Sequence, residues 1–399
     1  MCLLNFAKSR FHFAKLPITP IVVSFIMLSA MYAAAAPASS AYVYVGWYNR
    51  PNSNQTIAYH VTAFSVAADG SAQPVQGSPF NGASRDLAAA SNHLFGDDGR
   101  YIQAYSVAAN GGLTATSRVD DFAQIPGGGD YWFVYALNPD RAGQSLNTVV
   151  SCGSCNSYVF PWAIEADGRL SAIASAGLPD GPAKWNGLIT FSPNNRFAFT
   201  SAWQGTLGTL QRNSNGSLTW IDPGFVYAPP LPDLQEQVCM TTDFASSAQG
   251  YVAMVWYGGG QGCNPGYILA NYTVASNGLL QQVPNSAFTP QVYETAMAFD
   301  PTGTYLAIAG NGVQVIQLQS NGTLAAVGNA LQLPGLPGFQ KVLWDGAGHV
   351  YALTDDCYQR CGPNYGLYIF NFDGHSLTLA PGSPHTVYNS MSLAVLAGR

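Results

Sequence analysis

The sequence predicts an all-β protein: a seven-bladed β-propeller with four antiparallel strands in each blade. Charged residues make up only 9% of the 399 residues, against about 25% in typical soluble domains, which disfavours long solvated helices and coiled coils. Gly and Pro contribute 42 and 25 residues, and Tyr and Phe contribute 22 and 20, a composition that suits many short strands joined by turns. A third observation, a hairpin phrase that recurs along the chain, sets the number of blades.

Each copy of the repeated phrase contains a strand rich in aromatic and β-branched residues, an Asp-Gly or Asn-Gly pair, and a second strand. The seven pairs begin at Asp69, Asn110, Asp167, Asn215, Asn277, Asn321 and Asp373. Because these dipeptides meet the positive φ angles of a type I′ turn at little cost, we expect seven type I′ hairpins. Segments 191–203, 299–310 and 344–354 share a strand–turn–strand pattern ahead of the hairpin. About four strands per repeat, at intervals of 41 to 62 residues, are typical of a β-propeller.

The two ends of the predicted propeller complement each other. Segment 41–48 has the pattern of a second strand with no first strand before it, and segment 389–396 has that of a first strand with nothing after it. We therefore expect 389–396 to complete the first blade. This 3+1 closure joins the ends of the ring and removes two exposed sheet edges.

The first 41 residues have the pattern of a secretory signal peptide. Lys8, Arg10 and Lys15 precede an apolar run over 21–36, and small residues follow to Ala41, the order that such signals use. The alternative is an uncleaved anchor. With cleavage, the propeller spans 42–399, is periplasmic or extracellular, and has no membrane span. Three of 15 basic residues and no acidic ones leave with the signal, so 12 remain against 21, a net charge of −9. This charge and the lack of Lys/Arg clusters argue against nucleic-acid binding, and we expect a monomer.

Six cysteines remain after the signal, an even number that indicates disulfides in an exported chain. We expect the pairs Cys152–Cys155, Cys239–Cys263 and Cys357–Cys361. The alternative is a thiolate zinc site, because two of these pairs have spacings found in zinc-binding halves. No His lies near them, and no metal or cofactor is expected elsewhere, since the sequence has no P-loop, HExxH or GxSxG motif.

The repeated phrase resembles the seven-bladed lactonase family, which includes the 6-phosphogluconolactonases. Segments 76–80 (QGSPF) and 381–385 (PGSPH) resemble the family's blade endings, and 181–200 resembles its G-P-R-H segment. The resemblance implies the propeller fold and a site at the central channel. The Arg-His pair of the family motif is absent, because Ala183 and Lys184 stand in its place. No catalytic residue is therefore carried over from the family.

Opening a lactone needs a base for water, a cation for the developing oxyanion, and a cavity that orients the ring. The charged residues of the predicted first strands and their leading loops are Arg85, Asp86, Lys184, Glu294 and Lys341. Glu294 is the candidate base, and Arg85, Lys184 and Lys341 are candidate substrate-binding cations. If the protein is an enzyme, these residues should converge on one rim of the channel. The alternative is that they are rim charges, some of them pairing across blades.

Two functions follow from these observations. The first is an exported hydrolase that opens a lactone or a related sugar-acid substrate at the channel rim. The second is a non-catalytic propeller that binds a protein, a glycan or an envelope component. A small polar molecule is the other partner that we expect. The fold alone does not decide between them.

Overall fold

A computed structural model describes most of the chain after residue 38. The described residues are 39–49, 56–121, 133–151, 158–177, 185–202, 206–227, 240–258, 266–333, 335, 338–354 and 362–398. Residues 1–38 of the predicted signal, Lys184 and all six cysteines of the predicted disulfides lie outside them. No helix within the described residues is long and apolar enough to cross a membrane.

The described strands form seven antiparallel sheets arranged as blades. The first blade combines strands from both ends of the chain, and the next three follow in chain order. Blade 1 contains Ala41–Asn49 (β1), Ala58–Val66 (β2), Ala72–Pro74 (β3), Phe80–Asn81 (β4) and Ser390–Ala397 (β31); blade 2 contains Leu87–Ala90 (β5), His93–Asp97 (β6), Tyr101–Val107 (β7) and Leu113–Asp120 (β8); blade 3 contains Phe133–Pro139 (β9), Ser145–Ser151 (β10), Tyr158–Ile164 (β11), Leu170–Ala172 (β12) and Ala176–Gly177 (β13); blade 4 contains Trp185–Phe191 (β14), Phe197–Ala202 (β15), Thr206–Arg212 (β16) and Leu218–Tyr227 (β17).

The remaining three blades follow the same meander. Blade 5 contains Met240–Ser246 (β18), Tyr251–Gly258 (β19), Gly266–Val274 (β20) and Leu280–Gln282 (β21); blade 6 contains Glu294–Phe299 (β22), Tyr305–Gly310 (β23), Val313–Leu318 (β24) and Leu324–Leu331 (β25); blade 7 contains Phe339–Trp344 (β26), His349–Thr354 (β27), Gly366–Phe372 (β28), Leu377–Leu379 (β29) and His385–Thr386 (β30). The innermost strands are β31, β5, β9, β14, β18, β22 and β26. We call the face on which these strands begin the upper face.

The C-terminal strand closes the ring as the sequence predicts. β31 pairs antiparallel with β1, from Ala41 opposite Ala397 to Trp47 opposite Ser390. Blade 1 is thus built from both ends of the described chain. The predicted seven-bladed fold and its closure are both confirmed.

All seven Asp-Gly and Asn-Gly pairs lie between the third and fourth strands of a blade, as predicted, but the type I′ expectation is wrong. Only the glycine of each pair has positive φ, for example +82° at Gly70. Gly70 N–H donates to Ala67 O at 3.0 Å and Ala67 N–H donates to Ser71 O at 2.9 Å, the pattern of a type I turn followed by a glycine bulge. The Asp69 carboxylate accepts the Ser71 N–H. The same Asx bond forms in all seven turns, so the side chain replaces the second positive φ as the reason for Asp or Asn.

Hydrophobic side chains fill every contact between neighbouring blades. One cluster joins blades 1 and 2 through Tyr44 and Tyr105, and another joins blades 7 and 1 across the closure. The largest spans blades 4, 5 and 6. Burying one sheet face against the next is the main stabilising interaction of the ring. It leaves the innermost strands facing a central space.

Candidate functional site

The central space is a cavity of about 360 Å³ on the axis of the propeller, lined by the innermost strands of all seven blades. Most of its wall is apolar or small. Three charged side chains line it: Asp86, Asp243 and Lys341. A compact cavity with a few converging polar groups is the usual form of a small-molecule site.

Lys341 and Asp86 form an ion pair across the cavity wall. Lys341 Nζ lies 3.6 Å from Asp86 Oδ1, and the lysine side chain is 38% exposed. The other carboxylate oxygen, Asp86 Oδ2, accepts the Leu137 N–H of blade 3 at 2.8 Å. Asp86 therefore links blades 2, 3 and 7 at one point of the channel.

Asp243 is the second carboxylate of the cavity. Its Oδ1 accepts the Phe244 N–H at 2.7 Å, and its Oδ2 accepts the Met297 N–H of blade 6 at 2.8 Å. Burial raises the pKa of Asp243 to about 6, although these two hydrogen bonds and the nearby Lys341 charge act to lower it. A carboxylate with that pKa is ionised at neutral pH and can still take up a proton. These are the properties that a general base requires.

β-Bulges set the direction of the cavity charges. The register of three successive innermost strands shifts at the same place, between Thr241 and Asp243, between Glu294 and Ala296, and between Phe339 and Lys341. A bulge re-aims the side chain next to it. Asp243, Ala296 and Lys341 each follow the bulge directly, and all three line the cavity.

A girdle of hydrogen bonds around the channel fastens each of several blades to the next. In every case a polar side chain in an innermost strand, or directly before one, bonds to the backbone of the following blade. The members are Asp86 to Leu137 N, Asn138 to Ile189 N, Asp243 to Met297 N, Thr295 to Phe339 O, Gln340 to Ser390 O, and Ser392 to Ser84 O. Asp86 and Asp243 thus belong both to this girdle and to the charged cavity wall.

The structure brings one of the predicted site residues, Lys341, to the cavity. Among the described residues, the wall includes neither Arg85 nor Glu294. Arg85 precedes β5 on the upper face, and its guanidinium lies near Gly99, where a Cβ would stand 2.9 Å away. Lys184 lies outside the described residues.

Glu294 is only 1% exposed and begins β22. It stands one position before the bulge, as Phe339 does in blade 7, and Phe339 belongs to the core between blades 6 and 7. Burial raises the pKa of Tyr267, and the neighbouring Tyr257 and the charge of the Glu294 carboxylate raise it further. Glu294 therefore faces the contact between blades 5 and 6.

A third carboxyl group lies behind the wall. Asp97 is fully buried, and its N–H donates to the Asp86 carbonyl while its carbonyl accepts the Arg85 N–H. Its Oδ1 accepts the Gly99 N–H at 2.7 Å, whereas its Oδ2 is buried with no hydrogen-bond partner among the described residues. Burial, reinforced by the Asp86 charge, raises the pKa of Asp97 to about 8. No group of three or more His, Cys, Asp or Glu within the described residues is placed to hold a metal ion.

Asp86 has no role among the residues predicted from the sequence, and Asp243 is absent from them, although the sequence carries a signal for both. Asp86 directly precedes β5 and Asp243 lies in β18, each in the pattern Asp, apolar, Ala, small: Asp86-Leu87-Ala88-Ala89 and Asp243-Phe244-Ala245-Ser246. A carboxylate at matching places in two such strands would have indicated inward-facing charge.

Comparisons with known proteins bear on the fold. No family model matches the sequence, and no curated protein does. Among solved structures, one similar to this chain is a Bacteroides fragilis protein provisionally assigned as a 6-phosphogluconolactonase, with 16% identity, a TM-score of 0.65, and coverage of 90% of this chain and 98% of that one. A periplasmic gluconolactonase of Pseudomonas aeruginosa has 17% identity, a TM-score of 0.63, and coverage of 90% and 99%. At such identities the likeness concerns the fold, and the resemblance to lactonase-like propellers is confirmed at that level.

Proposed function

We propose that this protein is a lactonase-like hydrolase that opens a small hydroxylated lactone in the central cavity. One observation carries the proposal: a lysine and two carboxylates, Lys341, Asp86 and Asp243, line one cavity on the axis. The likeness to a gluconolactonase and to a protein assigned as a 6-phosphogluconolactonase supports the substrate class. The volume of about 360 Å³ suits one small molecule.

Each charged residue takes a role in this proposal. Asp243 accepts a proton from water as the water oxygen bonds to the lactone carbonyl carbon. The Lys341 ammonium stabilises the negative charge that develops on the carbonyl oxygen. The ring C–O bond then breaks, and the proton held by Asp243 passes to the departing ring oxygen, which gives the hydroxy acid. Asp86 fixes the Lys341 side chain through their ion pair.

Asp243 retains capacity for this role despite its backbone contacts. A carboxylate offers about four lone-pair positions, and two of those of Asp243 are occupied by backbone N–H groups. We propose Asp243 as the base in preference to Glu294, because Asp243 lines the cavity. Arg85 and Lys184 remain proposed contributors to the upper rim.

We also retain the proposal that the protein is exported, with 1–41 as its signal and the six cysteines as three disulfides. An exported enzyme would meet unphosphorylated lactones, because phosphosugar intermediates are scarce outside the cytoplasm. Mass spectrometry of the purified protein would test the cleavage point and the disulfides together. An intact N-terminus would contradict the signal, and free thiols at all six of these cysteines would contradict the disulfides.

The experiment for the function is an assay of the purified protein against a panel of γ- and δ-lactones, with Lys341→Met and Asp243→Asn as site variants. Asp69→Asn is the matched control, because Asp69 lies in an exposed turn where Asn occurs in four sister turns. We expect hydrolysis by the wild type and the control, and a loss of at least about 100-fold in each site variant. Equal rates in all four proteins, or no hydrolysis of any lactone, would contradict the proposal.

A non-catalytic binding propeller is the second candidate, and the girdle favours it. Both cavity carboxylates bond to the backbone of a neighbouring blade, which by itself explains their presence as structural links. In that case a lactone or sugar acid would bind, as measured by calorimetry, without turnover. Binding would weaken in Lys341→Met.

A further inference from the structure

A row of three tyrosine rings lies on the upper face where blades 5 and 6 meet. Tyr257 and Tyr267 face each other across β19 and β20, with ring centroids 4.9 Å apart, and Tyr293 continues the row at 5.6 Å from Tyr267. Tyr293 is 64% exposed. We call these three residues the tyrosine platform.

The backbone holds the outermost ring in place. Tyr293 N–H donates to Asn311 Oδ1 at 2.7 Å, and the Tyr293 carbonyl packs so closely on Gly310 that a Cβ there would lie 1.3 Å from it. The segment bearing the ring is therefore fixed, while the ring itself faces solvent. An aromatic ring that faces solvent on a fixed segment contributes little to the core and is available to a ligand, and tyrosine is enriched at binding interfaces.

The polar groups around the rings indicate the kind of ligand. Each tyrosine carries a hydroxyl that both donates and accepts, and the Asn311 NH₂ group is a donor beside the outermost ring. The Tyr293 N–H is already bonded, so it offers nothing to a peptide main chain. The carboxylate of Glu294, whose charge acts on Tyr267, disfavours an anionic ligand at the platform. One exposed aromatic ring beside two tilted, half-buried tyrosines, edged with hydroxyl and amide groups, fits a molecule with an apolar face and a rim of hydroxyls.

We propose that the tyrosine platform binds a saccharide chain, with one sugar ring stacked on the exposed Tyr293 ring and the adjoining sugar in contact with Tyr257 and Tyr267. Tyr293 directly precedes β22, whose Ala296 and Met297 line the central cavity, so a chain held on the platform lies next to the channel. The site is separate from the cavity charges and does not depend on hydrolysis there. It would hold the protein on a polysaccharide.

The test uses the full-length protein and affinity electrophoresis in gels containing soluble xylan, mixed-linkage β-glucan or glycol chitin. Tyr293→Ala removes the exposed ring, and Tyr293→Phe keeps it. Tyr388→Ala is the matched control, because Tyr388 is 49% exposed on the same face but has no ring contact among the described residues. Asp243→Asn separates this site from the cavity.

We expect at least one polysaccharide to retard the wild type, Tyr293→Phe, Tyr388→Ala and Asp243→Asn alike. Tyr293→Ala should bind that polysaccharide about tenfold more weakly, the loss expected for truncating one aromatic anchor. Three results would overturn the proposal: no polysaccharide binds, Tyr293→Ala binds as well as the wild type, or a proline-rich peptide binds in place of saccharides. Because Asp243→Asn keeps the platform, lost hydrolysis with retained saccharide binding would leave this inference intact, and the reverse result would leave the hydrolase intact.

Discussion

Replacing Asp97 with Asn should stabilise the protein, by an amount that grows as the pH rises. Burial raises the pKa of this carboxyl from 3.8 to about 8, so the folded protein keeps a proton at pH 7 that the unfolded chain has released. Each unit between the two pKa values is worth about 1.4 kcal/mol. The wild-type free energy of unfolding at pH 7 is therefore about 4 kcal/mol lower than it would be with a side chain that never ionises. At pH 5 the difference is about 2 kcal/mol.

The sign follows from proton binding. Between pH 3.8 and about 8 the folded state binds the proton more tightly than the unfolded state, so wild-type stability falls as the pH rises through this window. Asn cannot ionise, and its Oδ1 can still accept the Gly99 N–H. Its NH₂ group replaces an oxygen without a partner among the described residues, which adds an offset that does not change with pH.

The assay is urea unfolding of wild type and Asp97→Asn at pH 5, 6, 7 and 8. The difference in free energy of unfolding should rise by about 1.4 kcal/mol per pH unit. Asp167→Asn, in an exposed Asp-Gly turn, is the control and should show no such rise, since its pKa is lowered by its backbone contact with Arg169. A difference between Asp97→Asn and wild type that stays constant across this range would refute the reasoning.

Three further outcomes are expected. Lactone hydrolysis should increase with pH through about 6, as Asp243 releases its proton, and a flat rate profile would exclude that carboxylate as the base. Gly111→Ala should lower the free energy of unfolding in urea by about 1–3 kcal/mol more than Gly374→Ala does. Both glycines have positive φ, but only at Gly111 would the added Cβ clash with a tyrosine of the neighbouring blade. Equal losses in the two variants would show that φ alone matters. His349, whose pKa is raised chiefly by its hydrogen bond to Asp345, should contribute stability that is complete below pH 6.5 and lost as the pH rises through its folded value; thermal melts of His349→Gln should lack that loss.

The blade count and the ring closure were predictable because each rests on a local pattern. An Asp-Gly or Asn-Gly pair between two strands specifies a hairpin wherever it stands, and seven copies specify seven blades. The dipeptide does not specify the turn type, because it serves both a type I′ turn and a type I turn with a glycine bulge. An alanine or asparagine stands two residues before many of these pairs, as at Ala67 and Asn213. It is the first residue of the type I turn that precedes the glycine bulge.

The candidate site was harder to predict because its members meet only after the ring closes. Asp86 and Lys341 belong to blades 2 and 7, and blade 1, built from both ends of the described chain, lies between them. Nothing local in either strand indicates the other. Lys341 was identified because a charged residue is rare in such a strand. Asp86 and Asp243 are indicated only when the matching sequence pattern of blades 2 and 5 is compared.

Glu294 shows how a single extra residue changes the interpretation of a strand. Strand side chains alternate between faces, so a one-residue shift moves a side chain to the opposite face. The bulge after Glu294 makes that shift in β22, and the equivalent bulges put Asp243 and Lys341 on the cavity wall. Glu294 lies before the bulge and faces the neighbouring blade, beneath the tyrosine platform, while the residues after it face the axis. The same backbone irregularity therefore separates the central cavity from the tyrosine platform, and a variant that removes it by deleting Thr295 should disturb both at once.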